Sequence, residues 1–195
     1  MATTTQVYLA SSSPRRRELL EQIGIRYSLL NVSVDEIRLA TEQPADYVRR
    51  LALTKARAGW DSLGADPSRP VLGADTAVIV DGAVLGKPRD RTEGLAMLSR
   101  LSGREHQVLS GVALVMAERE AVRVQTSRVR WRALSAAECQ AYWETGEPGD
   151  KAGGYGIQGR AAAFITELRG SYSGVMGLPL FETAELLGEF GIHVL

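Results

Sequence analysis

The sequence is poor in the residues that build several common kinds of site. Its 195 residues include one cysteine, Cys139, and two histidines, His106 and His193. One cysteine forms no internal disulfide, and with two histidines it makes too small a ligand set for a structural zinc site. Aromatic residues make up 6% of the chain, and the 23 basic and 23 acidic residues cancel. A binder of single-stranded nucleic acid needs stacking platforms and a basic field, and this composition supplies little of either. The same neutrality argues against adsorption to an acidic membrane. No apolar run approaches the roughly 18 residues of a membrane span, and no basic stretch leads into an apolar core of signal-peptide length. These absences predict a soluble cytoplasmic protein with no nucleic-acid or membrane partner, in which any anion is held by a local cluster. Lysine is scarce as well: 20 of the 23 basic residues are arginine, leaving only Lys55, Lys87 and Lys151.

A hydrophobic content of 45% over this length supports a sizeable core, in one domain spanning 1–195 or two small lobes within it. Helical and strand-like patterns alternate throughout, which predicts an α/β or α+β fold. Residues 6–10 read as a strand, followed by SSSP and a helix with Leu19, Leu20 and Ile23 on one side. A second helix is predicted from about Pro44 to Gly59. The segment VLGADTAVIVDGAVLGKP reads as two strands joined at Asp81-Gly82, a strong hairpin signal. Capping-box spacing recurs at Asp90/Glu93 and at Ser135/Glu138. HQVLSGVALVM and AVRVQTSRVRW predict an antiparallel pair, AAFITEL a further strand, and a last helix begins near Pro179. Hairpins mixed with crossovers argue for a mixed sheet flanked by helices.

Several segments carry chemistry. In SSSPRRR, Ser13 is placed to cap a helix and Pro14 suits its first position, so Arg15, Arg16 and Arg17 fall in the first turn. Cations at the positive end of a helix dipole are unfavourable unless an anion such as phosphate sits there; the alternative is that the arginines splay into water. Asp75 interrupts a run that otherwise reads as a buried strand. Its carboxylate requires a metal, a water or a basic side chain, unless it merely caps a turn. Asp35 and Glu36 are adjacent carboxylates, either solvated or joining Asp75 in an oxygen-rich site suited to Mg2+ or Mn2+. Lys55 follows Leu51 by four residues and Val48 by seven, on the apolar side of its helix, where it either snorkels to water or meets an anion. Lys87, in GKP, is within reach of the same kind of anion. The loop GGYGIQG has four glycines in seven positions, and Gln158 in it carries both a donor and an acceptor, as reading a nucleobase edge requires. It is otherwise a flexible connection, and its spacing matches neither a Walker loop nor a dinucleotide fingerprint.

Taken in series, LASSSPRR, VLGADT, GKP, YGIQG and GSYSGVMGLPL resemble the motifs of the Maf family of nucleotide pyrophosphatases, also named septum formation inhibitors. The likeness runs from Tyr8 to about Leu187, with Ser12 where many members have glycine. It implies two lobes around a deep cleft on a mixed, twisted sheet, similar to the inosine triphosphate pyrophosphatases. It also implies a divalent cation, Mg2+ or Mn2+, a homodimer, and attack of water at the α-phosphorus of a nucleoside triphosphate. By position, Asp75 is implied as the proton acceptor, with Glu36 beside it at the metal, and Ser11, Arg15, Arg16, Lys55 and Lys87 as the grip on the triphosphate. Arg16, Thr76 and Gln158 resemble the set of the dTTP and UTP branch; the 7-methyl-GTP branch has SPWR, SDQ and SEG at those motifs. The implied role is removal of non-standard nucleotides, with a link to cell-division arrest. The competing reading is a regulator of septum formation that binds a nucleotide without turnover. Carboxylates beside a polyanion, which pure binding rarely benefits from without a metal, argue against it.

Overall fold

In the computed structural model, residues 5–64 and 68–194 are described. The strands are β1 (Val7–Ala10), β2 (Tyr27–Leu29), β3 (Val71–Val80), β4 (Ala83–Leu85), β5 (Glu105–Met116), β6 (Arg119–Trp131) and β7 (Ile165–Arg169). The helices are α1 (Pro14–Gln22), α2 (Pro44–Asp61), α3 (Arg91–Leu101), α4 (Ala136–Glu144), α5 (Tyr172–Met176) and α6 (Leu180–Glu189). The seven strands form one sheet in the order β2-β1-β3-β5-β6-β7, with β4 on β3. β1 pairs in parallel with β2 and β3, whereas β3–β4 and β6–β7 are antiparallel. The sheet is therefore mixed, and the class is α/β.

The chain divides into two compact units: Met1–Asp75 with Ser110–Gln125 and Gly177–Leu195, and Thr76–Leu109 with Thr126–Met176. In the first, α2 lies against β3 and β5 at two glycines. A Cβ on Gly73 would stand 2.3 Å from the Ala52 carbonyl oxygen, and one on Gly111 would stand 2.5 Å from that of Val48. Only hydrogen fits at either place, so helix backbone and strand backbone touch, with Ala52, Ala56, Ala113 and Val115 packed around the contact. The second unit has a core of Val78, Leu85, Leu98, Leu101, Val129, Trp131, Tyr142, Tyr155 and Ile157, among others. Trp131, Tyr155 and His106 pack edge to face there.

The turn at Asp81-Gly82 has positive φ at both residues, as a two-residue hairpin requires. Local chemistry departs from the sequence reading in three places. Ser13 takes the N-cap position of α1 in extended conformation but makes no side-chain cap bond. Asp90 caps α3 through the Glu93 N–H, but the Glu93 carboxylate bonds Arg89 instead of closing a box. The Ser135/Glu138 box closes fully. The stretch before β7 winds into a 3-10 turn, Arg160–Phe164, so the strand begins only at Ile165. Among the described residues, no helix is long and apolar enough to cross a membrane.

Candidate functional site

In the first unit, the loop after β1 folds around the Ser11 hydroxyl. Ser11 Oγ accepts from the Ser13 N–H (3.3 Å) and from Arg16 Nη1 (2.9 Å). Ser11 therefore organises the entry to α1. Arg16 Nε also donates to the carbonyl of Gly177 (2.8 Å), at the end of the GSYSGVMG motif. Two chain segments 161 residues apart in sequence meet at this guanidinium. Burial pulls the Arg16 pKa down; the charge of Asp75 opposes that shift and the charge of Arg15 adds to it. Arg15 and Arg17 are half-buried.

In the middle of β3, the close seat of α2 on Gly73 brings Lys55 to Asp75. Lys55 Nζ lies 2.7 Å from Asp75 Oδ1 and 2.6 Å from Glu36 Oε1. One ammonium thus serves two carboxylates. Asp75 is 7% exposed, and burial raises its pKa above the usual carboxylate range even though Lys55 and Arg16 both pull it down. A desolvated carboxylate held in this way is a stronger proton acceptor than a solvated one. Lys55 is neither snorkelling nor open to solvent: its side chain is 13% exposed. The anions it meets within the protein are these carboxylates.

The segment carrying Glu36 is anchored by groups the sequence did not single out. The Tyr47 hydroxyl donates to the Glu36 carbonyl (3.0 Å), and burial together with Asp75 and Glu36 pushes its pKa up to about 12. Arg50 grips both oxygens of Glu42 and the carbonyl of Ile37. Tyr47 and Arg50 lie three residues apart at the start of α2, so this helix holds both Lys55 and the loop that presents Glu36. The i, i+3 spacing was visible in sequence, but its target was not.

Among the described residues, no cluster of three or more His, Cys, Asp or Glu side chains is arranged to hold a metal. The pair Asp75 and Glu36 nevertheless fits a hard cation of the Mg2+ type, which takes one or two protein carboxylates and fills its shell with substrate phosphates and water.

Thr76, Lys87 and Gln158 belong to the second unit. Thr76 follows Asp75 in β3 and is half-buried; Lys87 and Gln158 are exposed. The Lys87 segment is tied to the glycine-rich loop by a bond from the Gly153 N–H to the Gly86 carbonyl (2.9 Å). Glu36, Lys55 and Asp75 thus form one group, Ser11 and Arg16 a second one coupled electrostatically to it, and Lys87 and Gln158 stand on neighbouring loops of the other unit.

Comparison with known proteins agrees with this set of motifs. The chain is 59% identical over 189 residues to a protein of Alkalilimnicola ehrlichii named dTTP/UTP pyrophosphatase, covering 95% of this chain and 93% of that protein. It is 52% identical to one of the same name from Saccharophagus degradans, covering 98% and 91%. Among solved structures, the Ham1 protein of Staphylococcus aureus is similar at 14% identity over 65% of this chain and 72% of that one, with a TM-score of 0.45. The family model described as Maf-like protein matches residues 6–190, and with relatives this similar over nearly the whole length, the chain belongs to the Maf-like protein family.

Proposed function

We propose that this chain is a nucleoside triphosphate pyrophosphatase that hydrolyses dTTP and UTP, and modified pyrimidine triphosphates, to the monophosphate and pyrophosphate. The observation that carries this reading is the likeness, nearly full length and at 59% and 52% identity, to proteins named dTTP/UTP pyrophosphatase. The cellular role is clearance of non-standard nucleotides from the pool.

Asp75 is the proton acceptor. As the water oxygen bonds to the α-phosphorus, its proton passes to the carboxylate; the bond from that phosphorus to the bridging oxygen breaks, and pyrophosphate leaves with the electron pair. Burial supports this role because it raises the basicity of Asp75. Glu36 and Asp75 hold a divalent cation, Mg2+ or Mn2+, which neutralises phosphate charge when bound. Ser11, Arg15, Arg16 and Lys55 grip the triphosphate through charge-assisted hydrogen bonds. The assignments of Lys87 to the phosphates and of Arg16, Thr76 and Gln158 to pyrimidine specificity rest on their motifs. A cytoplasmic homodimer completes the reading, supported by the single cysteine and by family resemblance; light scattering on the purified chain tests its mass. The regulator without turnover is not favoured, since Asp75 and Glu36 converge where pure binding of a polyanion has no use for them.

The deciding experiment measures pyrophosphate release from a panel of common and modified triphosphates with Mg2+, Mn2+ or excess chelator, for the wild type and Asp75→Asn. Metal-dependent release favouring dTTP and UTP, reduced about 1,000-fold in the folded variant, is expected. Full activity of the variant removes Asp75 from its role, and binding without turnover in any metal returns the regulator.

A further inference from the structure

Gln158 sits at the exposed corner of a tight turn. The Gly159 N–H donates to the Gly156 carbonyl (3.0 Å), which makes Ile157 and Gln158 the two central residues. Ile157 points into the core of the second unit and is 5% exposed, so the turn is rooted there while Gln158 is presented outward.

Both ends of the turn are held by one carboxylate that none of the motif assignments includes. Glu147 Oε2 accepts the Arg160 N–H (2.9 Å), just past the turn. Glu147 Oε1 accepts the hydroxyl of Tyr142 (2.7 Å), and the Tyr142 oxygen accepts the Gly156 N–H (3.4 Å), at the turn's start. Glu147 is itself fixed: its N–H donates to Thr145 Oγ1 and its carbonyl accepts from Lys151 Nζ. The turn lies directly on this group. A Cβ on Gly159 would stand 2.2 Å from Glu147 Oε1, and one on Gly156 would stand 2.9 Å from Lys151 Cε. The chemistry selects a carboxylate, because both incoming groups are donors and an ionised carboxylate is acceptor only. An amide at this place satisfies one donor and turns its own N–H groups toward the other. Tyr142 is 3% exposed, so losing its acceptor strands a buried hydroxyl.

We infer that Glu147, acting through Tyr142 and the Arg160 amide, is a positioning residue for base recognition: it fixes the Gly156–Gly159 turn so that Gln158 meets the nucleobase edge in one orientation. The inference rests on the assignment of Gln158 to base reading. It accounts for the sequence E-P-G-D-K-A-G-G-Y-G-I-Q-G-R as one device, with the clamp at its first residue and the clamped amide at its last.

The test compares kcat and KM for dTTP, UTP and GTP in the full-length wild type, Glu147→Ala, Glu147→Gln and Gln158→Ala, with melting temperature as a check on folding. In Glu147→Ala, KM for the pyrimidine nucleotides rises about tenfold with a smaller change in kcat, and the preference over GTP falls toward that of Gln158→Ala. Glu147→Gln lies between, and amide exchange at Gly159 and Arg160 speeds up in the alanine variant. A folded Glu147→Ala that keeps the wild-type preference while Gln158→Ala loses it overturns the inference and leaves the base-reading role standing. So does an equal loss of kcat on all three nucleotides. If Gln158→Ala itself keeps the preference, the base-reading role falls and the inference with it. Should the alanine variant fail to fold, the same criteria are applied to Glu147→Gln.

Discussion

The two units treat buried polarity in opposite ways. In the first, Asp75, Lys55 and Arg16 are kept from water under mutual tension: Asp75 is desolvated, the Lys55 ammonium is divided between it and the exposed carboxylate of Glu36, and Arg16 is depressed by burial. In the second, buried polar groups are neutral. His106 is 2% exposed, burial lowers its pKa to about 4, and its Nε2 lies 2.7 Å from the Tyr155 hydroxyl, which burial keeps protonated. The charges of that unit lie mainly at its surface, in pairs such as Arg104–Asp81 and Arg132–Glu138. The difference separates two uses of polar groups. The first unit gives up stability to hold reactive charge, and the second keeps its most deeply buried polar groups neutral while the half-buried carboxylate of Glu147 gives its glycine-rich loop one shape.

The sharpest way to break this contrast is to remove the cation that the first unit shares. Lys55→Met leaves Asp75 buried beside Glu36 without its main counter-charge. Activity is expected to fall about 100-fold or more. Because Lys55 lowers the Asp75 pKa, its loss raises that pKa further, and the acidic limb of the pH–rate profile moves to higher pH. A limb that stays in place shows that Asp75 does not govern it.

In the second unit the expected effect is on stability. His106 has a folded pKa of about 4 against an ordinary value of 6.5, so the unfolded chain takes up the proton first as pH drops. Its contribution is present above pH 6.5 and is lost as the pH falls toward 4. The loss amounts to at most about 3 kcal/mol, at roughly 1.4 kcal/mol per pH unit. Chemical denaturation of the wild type and His106→Gln at pH 7 and pH 4.5 isolates it, since the variant lacks this slope. Equal slopes in the two proteins refute the neutral-core description.

The smallest of the three concerns the seat of α2. Gly73→Ala forces a methyl group against the Ala52 carbonyl and the Ala56 N–H, 2.3 and 2.5 Å from the new Cβ. Overpacking of this kind costs about 1–3 kcal/mol. Any shift of α2 also moves Lys55, so reduced thermal stability with reduced activity is expected. Loss of stability alone shows that Lys55 tolerates the displacement.

Much of the architecture was legible because its signals are local. The Asp81-Gly82 hairpin, the Ser135 capping box and the starts of α2 and α6 each depend on a few neighbouring residues. β2 and α5 were not foreseen. Three residues of strand are too few for alternation to register, and β2 exists through parallel pairing with β1. α5, YSGVM, is five residues long and has no apolar period. In the site, Asp75 stood out as a charge in an apolar strand, but nothing in sequence ties it to Lys55, twenty residues away. That contact depends on the absence of a side chain at Gly73. Tyr47 and Glu147 were missed for the same reason: an ordinary tyrosine or glutamate is marked only by what the fold places beside it.

The backbone contact beneath α2 has an evolutionary consequence. Gly73 and Gly111 allow the helix one depth and one rotation, and because the nearest atoms in the way belong to the helix backbone, exchanging side chains along its face makes no room for a larger residue at either. Single-step drift is blocked there, and so is the common engineering route that exchanges glycine for alanine to reduce the freedom of the unfolded chain. That route is open instead at Gly188 in α6, where an added methyl group meets nothing within 4 Å.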